Sequence, residues 1–359
     1  MALTGNKGEW SEIYTLLKLL GEKQVFAGDG NLNKIENLFY PILRVLRNEQ
    51  RHNYEYSIED EIVIVTEDGR ELLRKPVNDF LAKAQQLLTI IRTSNGAFAA
   101  QETEQFMYEI GCRQIKAKSV EKADIRIVIH DLRTGMTPLL GFSIKSQLGD
   151  NSTLLNAGRT TNFSYQIKEI NFSQPEIDAI NAINTRAKIR DRVQAIQNKG
   201  GKLCFEKIED TIFCNNLVLL DSRMPEIIAQ LLLEYYSSGN SDLRQITANV
   251  TARNPLGYNM TNNNPFYEFK IKQLLVATAL GMVPHTPWRG RYQANGGYLV
   301  VKEDGDVLCY HFYDRNLFED YLFYNTKFET PSTGRHGFGE IYSINGKDYF
   351  KLNLQIRFK

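Results

Sequence analysis

Two alternating segments joined by a short turn constrain this chain most. Residues 124–130 (DIRIVIH) and 139–145 (LLGFSIK) each read as a strand, and residues 131–135 (DLRTG) supply the turn between them. A hairpin of this kind brings the chain back to its start, so Asp124, opening the first strand, and Lys145, ending the second, come to the same end of one sheet. Period-two alternation sends Phe142 and Ile144 to one face and Ser143 and Lys145 to the other. A lysine on a core strand is costly to bury without a carboxylate partner, so Lys145 calls for an acid close by.

Around the hairpin the pattern alternates between helical and extended spacing. Residues 9–20 place Trp10, Ile13, Tyr14, Leu16, Leu17 and Leu20 at helical intervals, with Gly5 and Gly8 before them and Gly21 after. Residues 61–66 (EIVIVT) read as a strand closed by the Asp68-Gly69 turn, and residues 77–92 as a helix. Beyond the polar segment 147–161, residues 175–197 read as one long helix stopped at Gly200-Gly201, residues 211–220 (TIFCNNLVLL) as a buried strand, and residues 225–236 and 266–280 as helices. The order predicts a mixed β-sheet core flanked by helices, an α/β (α+β) fold. Ser, Asn, Gly and Pro gather at 237–241 and 254–265, which places a boundary near residue 240. The expected division is 1–240, with the first helix, an insert and core strands at about 124–145 and 211–220, and 241–359 as a C-terminal α/β region.

The balance of 43 basic against 42 acidic residues, a net charge of +1, excludes a uniformly basic chain but leaves room for a local basic cleft whose charge is cancelled by acids elsewhere. No apolar run reaches the roughly 18–20 residues of a membrane span, and residues 1–10 lack the pattern of an export signal, so a prokaryotic cytoplasmic location is expected. The four cysteines are widely spaced with no CxxC pair, and the five histidines form no HExxH, which argues against zinc or histidine-metal chemistry.

The chemistry that the hairpin permits is metal-assisted hydrolysis of a phosphodiester. A carboxylate (Asp124) holds Mg²⁺, the metal lowers the pKa of a bound water, and a lysine (Lys145) orients that water or stabilises charge. Asp124 followed by GFSIKS (141–146) resembles the PD-(D/E)XK nuclease motif, with Ala123 where the motif has proline and Ser143 where it has its second acid. Ser143 therefore occupies a catalytic position without supplying charge, and another acid must complete the metal site. In several branches of that class a glutamate from the first core helix approaches the metal, and GNKGEWSE (5–12) resembles such a helix opening; this implies Glu9 first and Glu12 second, with Glu169 third. Both glutamates of the helix also sit in its first turns, where the helix dipole favours carboxylates whatever their function.

Longer blocks carry a wider resemblance. GNKGEWSEIY (5–14), GFSIKSQLGDNSTLLNAGRTTNF (141–163) and the segment from NTKFETPSTGRHGFG to KLNLQIRF (325–358) are similar to HpaII-type restriction endonucleases. The resemblance implies a dimeric, Mg²⁺-dependent enzyme that cuts double-stranded DNA at the palindrome CCGG, with a cognate methyltransferase acting on the same site and the C-terminal region recognising DNA. A catalytically inactive DNA-binding protein that lost its second acid at Ser143, and a restriction enzyme of different specificity, remain as alternatives.

Side chains able to contact DNA cluster in three places. Ser146, Gln147, Asn156, Arg159 and Asn162 follow the catalytic strand; Lys327, Arg335 and His336 flank the turn in FETPSTGRHG; Gln355 and Arg357 lie on the polar face of the last strand, where Leu352, Leu354, Ile356 and Phe358 form the apolar face. Guanines of a CCGG site attract bidentate arginine or lysine contacts, for which Arg335 is the first candidate and Arg159 the second.

Overall fold

The computed structural model describes residues 2–49, 52–116, 123–292 and 295–359. It is a mixed α/β structure of eleven α-helices and several sheets among those residues. The chain divides into two compact units, Met1–Ser152 with Tyr292–Tyr321, and Thr153–Arg291 with Leu322–Lys359. The units are interleaved along the chain, so packing does not divide it at residue 240; residues 241–291 pack with 153–240, and 292–321 return to the first unit.

The first unit is built on the Lys7–Glu22 helix and a nine-stranded sheet. A reciprocal cap starts the helix: the Asn6 side chain accepts from the Glu9 N–H at 3.0 Å, and the Glu9 carboxylate accepts from the Asn6 N–H at 2.9 Å. The predicted apolar face, Trp10, Ile13, Tyr14, Leu16, Leu17 and Leu20, is buried, and the helix packs on Val77–Thr93. Gly21 permits that approach, because a Cβ there would lie 2.9 Å from the Leu81 backbone.

Strand order in the sheet is Gln24–Gly28, Val307–His311, Gly297–Val301, Leu139–Ser146, Ile125–Ile129, Lys34–Glu49, His52–Glu59, Ile62–Glu67, Arg70–Pro76. Gln24–Gly28 also pairs with Lys34–Glu49, so part of the sheet forms a closed circuit of pairings. The predicted hairpin is present, antiparallel, with Ile125 opposite Phe142 and Val128 opposite Leu139. On its other side Leu139–Ser146 lies parallel to Gly297–Val301, with Tyr298 opposite Ser143 and Val300 opposite Lys145.

The second unit holds a four-stranded sheet in the order Lys202–Ile208, Asn162–Lys168, Lys347–Asn353, Ile341–Ile344, and a three-stranded sheet of Thr326–Phe328, Ile356–Phe358 and Thr153–Leu155. Three sequence expectations are corrected here. Thr211–Leu220 is a helix, not a core strand: Asp210 caps it by accepting from the Phe213 N–H at 2.9 Å, and its apolar run leaves Val218 and Leu219 exposed. An apolar stretch of this length does not distinguish strand from helix, whereas the cap does. Residues 175–197 form two helices, Gln174–Asn181 and Lys188–Asn198. The break is stabilised by the buried Arg192 guanidinium, which donates to the Ile183 carbonyl at 2.9 and 3.1 Å and to those of Asn181 and Gly339. The last strand is also two, Lys347–Asn353 and Ile356–Phe358, serving different sheets. Its polar face is interrupted because Asn353 is fully buried.

Candidate active site

Asp124 sits at the mouth of the hairpin. Its N–H donates to the Phe142 carbonyl at 2.9 Å, and its Oδ2 accepts from the Ile144 N–H at 2.7 Å. The carboxylate is thereby pinned beside Ser143 and Ile144, with its second oxygen left for a ligand. Ser143 and Lys145 are half-buried on the same strand. Lys145 Nζ lies 4.9 Å from the centroid of the Tyr298 ring.

The first helix is tied to this strand through hydroxyls. Ser11 is fully buried, and its Oγ lies 2.8 Å from Ser146 Oγ and 2.7 Å from the Lys7 carbonyl; the Leu148 N–H also reaches Ser146 Oγ at 3.2 Å. Ser146, expected to touch DNA, is thus engaged in holding helix to strand. Gln147 extends the sheet edge, its N–H donating to the Val301 carbonyl at 2.8 Å.

That tie fixes the residue next to Ser11. Glu12 is half-buried, and its carboxyl is pushed up to about 8, first by burial and then by the negative charge of Asp124. Burial pulls the Lys145 ammonium down, with Asp124 and Glu12 acting in the opposite sense. These mutual effects place Glu12, Asp124 and Lys145 in one electrostatic cluster. Glu9 differs: the Asn6 N–H bond holds its carboxyl below the ordinary range against some burial, and Lys116 Nζ lies 3.3 Å away. In the structure Glu9 completes the helix cap, whereas Glu12 is the glutamate of this helix coupled electrostatically to Asp124. Glu169 belongs to the second unit, where it pairs with Lys202 at 3.4 Å.

Among the described residues no group of three or more His, Cys, Asp or Glu side chains gathers in metal-binding geometry. Two carboxylates are a fitting set for Mg²⁺, which is characteristically held by one or two protein carboxylates and completed by water and substrate phosphate. The Glu12 carboxyl is raised first by burial and then by the charge of Asp124, so a cation held by the two would be favoured electrostatically.

In the second unit, Asn156, Arg159 and Arg335 are exposed, and Arg335 and His336 lie in the short Thr333–His336 helix. Partial burial first, then the charges of Arg335 and Arg159, lower the His336 imidazole. Asn162 is buried: its Nδ2 donates to the His336 carbonyl at 2.9 Å, and its Oδ1 accepts from Asn353 Nδ2 at 2.7 Å. Asn353 also donates to the Gly158 carbonyl at 2.7 Å. Asn162 thus ties the Arg159 and Arg335 segments together through its side-chain amide. Arg357 is held by Glu329 at 2.8 Å, Lys327 lies in an isolated bridge with Asp242, and Gln355 accepts at its carbonyl from the Glu329 N–H at 3.3 Å.

Comparison with known proteins identifies the family of the chain. The family model described as HpaII restriction endonuclease matches residues 6–358. The chain belongs to that family. It is 46% identical over 359 residues to the type II restriction enzyme HpaII of Haemophilus parainfluenzae, covering 99% of this chain and 98% of that protein. No solved structure matches the chain. Family membership makes it a site-specific deoxyribonuclease. Neither Glu12, coupled electrostatically to Asp124, nor Tyr298 stood out in the sequence as the stronger signal. The i, i+3 pair Glu9 and Glu12 could be separated only by recognising Asn6-x-x-Glu9 as a capping box, and nothing marked a tyrosine far downstream.

Proposed function

We propose that this HpaII-family enzyme hydrolyses phosphodiester bonds in double-stranded DNA at CCGG, on a PD-(D/E)XK core, with Mg²⁺ held by Asp124 and Glu12. The observation that carries the reading is the convergence of Asp124, Glu12 and Lys145 at the end of one hairpin. When bound, Mg²⁺ polarises the scissile phosphate and makes its water more acidic. Asp124, fixed by the Ile144 N–H, offers one rigid oxygen ligand. Glu12, whose carboxyl is pushed up to about 8 by burial and by Asp124, would as a carboxylate ligand supply the charge that Ser143 lacks. Lys145, as the ammonium, faces the negative charge that grows on the phosphate during attack.

For recognition, the exposure of Arg335 and the charge of Arg159 felt at the neighbouring His336 support a guanine-reading role for Arg335, with Arg159, Asn156 and Lys327 as further contacts. The C-terminal segment thereby contributes to DNA recognition. A palindromic site is matched by a two-fold homodimer, and a methyltransferase modifying the same sequence protects the host chromosome in the cytoplasm. Arg335→Ala is expected to remove roughly 1–3 kcal/mol of discrimination between CCGG and a scrambled duplex. Binding titrations with Ca²⁺ in place of Mg²⁺ measure this; an equal loss on both duplexes would reassign Arg335 to a phosphate.

The test of the activity is digestion of unmethylated plasmid with Mg²⁺ or with EDTA. A discrete ladder with ends at CCGG only when Mg²⁺ is present is the expected result. Retarded but intact DNA under every divalent ion would overturn it in favour of an inactive binding protein, and ends at another sequence would overturn the specificity.

A further inference from the structure

We propose that Tyr298 is the positioning residue for Lys145, its ring holding the ammonium ready for the scissile phosphate; this rests on the role given to Lys145 above. Among the described residues Lys145 makes no hydrogen bond through Nζ and no ion pair, although Asp124 and Glu12 influence it electrostatically. The partner it does have is the Tyr298 ring, 4.9 Å from Nζ to centroid. A cation over an aromatic face is attracted by the ring quadrupole, most strongly where water is excluded.

The sheet register dictates this pairing. Tyr298 lies directly opposite Ser143 in the parallel pair, and Val300 opposite Lys145. Tyr298 therefore shares the Ser143 and Lys145 face and is the diagonal neighbour of the lysine, within reach of a long side chain. Its ring is itself fixed. Tyr298 is only 3% exposed, meets Phe318 edge-on at 5.4 Å and Tyr321 at 6.4 Å, and Tyr321 is stacked on Tyr310 at 4.1 Å. The phenol also lies near enough to Asp124 for the carboxylate to raise it further above its ordinary range, beyond the larger effect of burial.

The arrangement has a functional logic. A lysine locked in an ion pair with Asp124 or Glu12 would neutralise a metal ligand and would have to break that pair to reach the phosphate. A neutral ring keeps the ammonium in place and charged while leaving both carboxylates to the cation. The ring opposes the burial that pulls the lysine toward its neutral form.

The test uses the full-length enzyme and single-turnover cleavage followed against pH at saturating Mg²⁺, with DNA affinity measured separately in Ca²⁺. Tyr298→Phe keeps the ring, and both rate (within about threefold) and the alkaline limb of the profile are expected to stay as in the wild type. Tyr298→Leu removes the ring: the rate is expected to fall about tenfold or more, and the alkaline limb to move down by about one pH unit as Lys145 loses its proton earlier. DNA affinity stays unchanged in both. If Tyr298→Leu does not fold by thermal melting, Tyr298→Met is read in its place. A wild-type profile for the ring-less variant, or an equal loss in the phenylalanine variant without a shift of the limb, would overturn the inference. Lys145→Met distinguishes this from failure of the underlying reading. An inactive methionine variant beside a normal Tyr298→Leu rejects only the role of the ring, whereas wild-type cleavage by Lys145→Met rejects the lysine's role itself.

Discussion

Glu12→Gln is expected to reduce Mg²⁺-dependent cleavage by about 1,000-fold or more, since a catalytic metal contributes several kcal/mol of charge stabilisation and each 1.36 kcal/mol is tenfold. Glu9→Gln, three residues earlier on the same helix, should keep its rate within about threefold, because glutamine can still accept from the Asn6 N–H and preserve the capping box. The contrast follows from the two environments: the Glu9 carboxyl is held low by its hydrogen bond, and that of Glu12 is raised to about 8 by burial and Asp124. The raised value has a consequence for stability. Between the ordinary glutamate value of 4.5 and about 8 the folded state binds a proton at Glu12 that the unfolded state has released, so stability falls as pH rises through that window. In EDTA, Glu12→Gln should therefore be the more stable protein at about pH 8.5, by on the order of a few kcal/mol, and indistinguishable from wild type near pH 4. Urea melts at the two pH values, alongside the plasmid digest, check both halves. A cleaving Glu12→Gln with an inactive Glu9→Gln would return the metal site to Glu9.

Asp124→Asn and Lys145→Met should each abolish cleavage, by about 1,000-fold or more, while specific DNA binding in Ca²⁺ is retained. Asparagine keeps an oxygen for the Ile144 N–H that now meets Oδ2, so the hairpin mouth remains formed and only the charge is lost. Methionine keeps the length and packing of Lys145 beside Tyr298 without the ammonium, and removal of a half-buried charge that makes no ion pair should leave stability equal or higher. Gel-shift titration together with single-turnover kinetics separates binding from chemistry. Wild-type cleavage by either variant would remove that residue from the site.

What could be read directly from sequence was local in origin. The hairpin was legible because alternation and turn chemistry act over a few residues, and it brought Asp124 and Lys145 to one end as observed. The first helix was legible from its apolar face. The different surroundings of Glu9 and Glu12 were not, because they depend on how that helix docks, which includes the Ser11 to Ser146 contact across 135 residues of chain. Thr211–Leu220 misled because its apolar run continues onto the exposed Val218 and Leu219, which hides the helical period and leaves only the Asp210 cap as a clue. Asn162 looked like a DNA contact because amides suit both bases and backbone; only its pairing with Asn353 and the His336 carbonyl shows where its hydrogen bonds go.

The place of the Gly297–Val301 strand in the sheet bears on how the cell tolerates such an enzyme while it is being made. Leu139–Ser146 carries Ser143 and Lys145, yet its parallel neighbour comes from a stretch of chain more than a hundred residues later. A polypeptide still on the ribosome, or one released early, can form the hairpin but lacks both the strand beside it and the ring against which Lys145 rests. On the roles proposed for Lys145 and Tyr298, catalytic competence is therefore acquired late in synthesis, and fragments that end before Gly297 lack a complete centre.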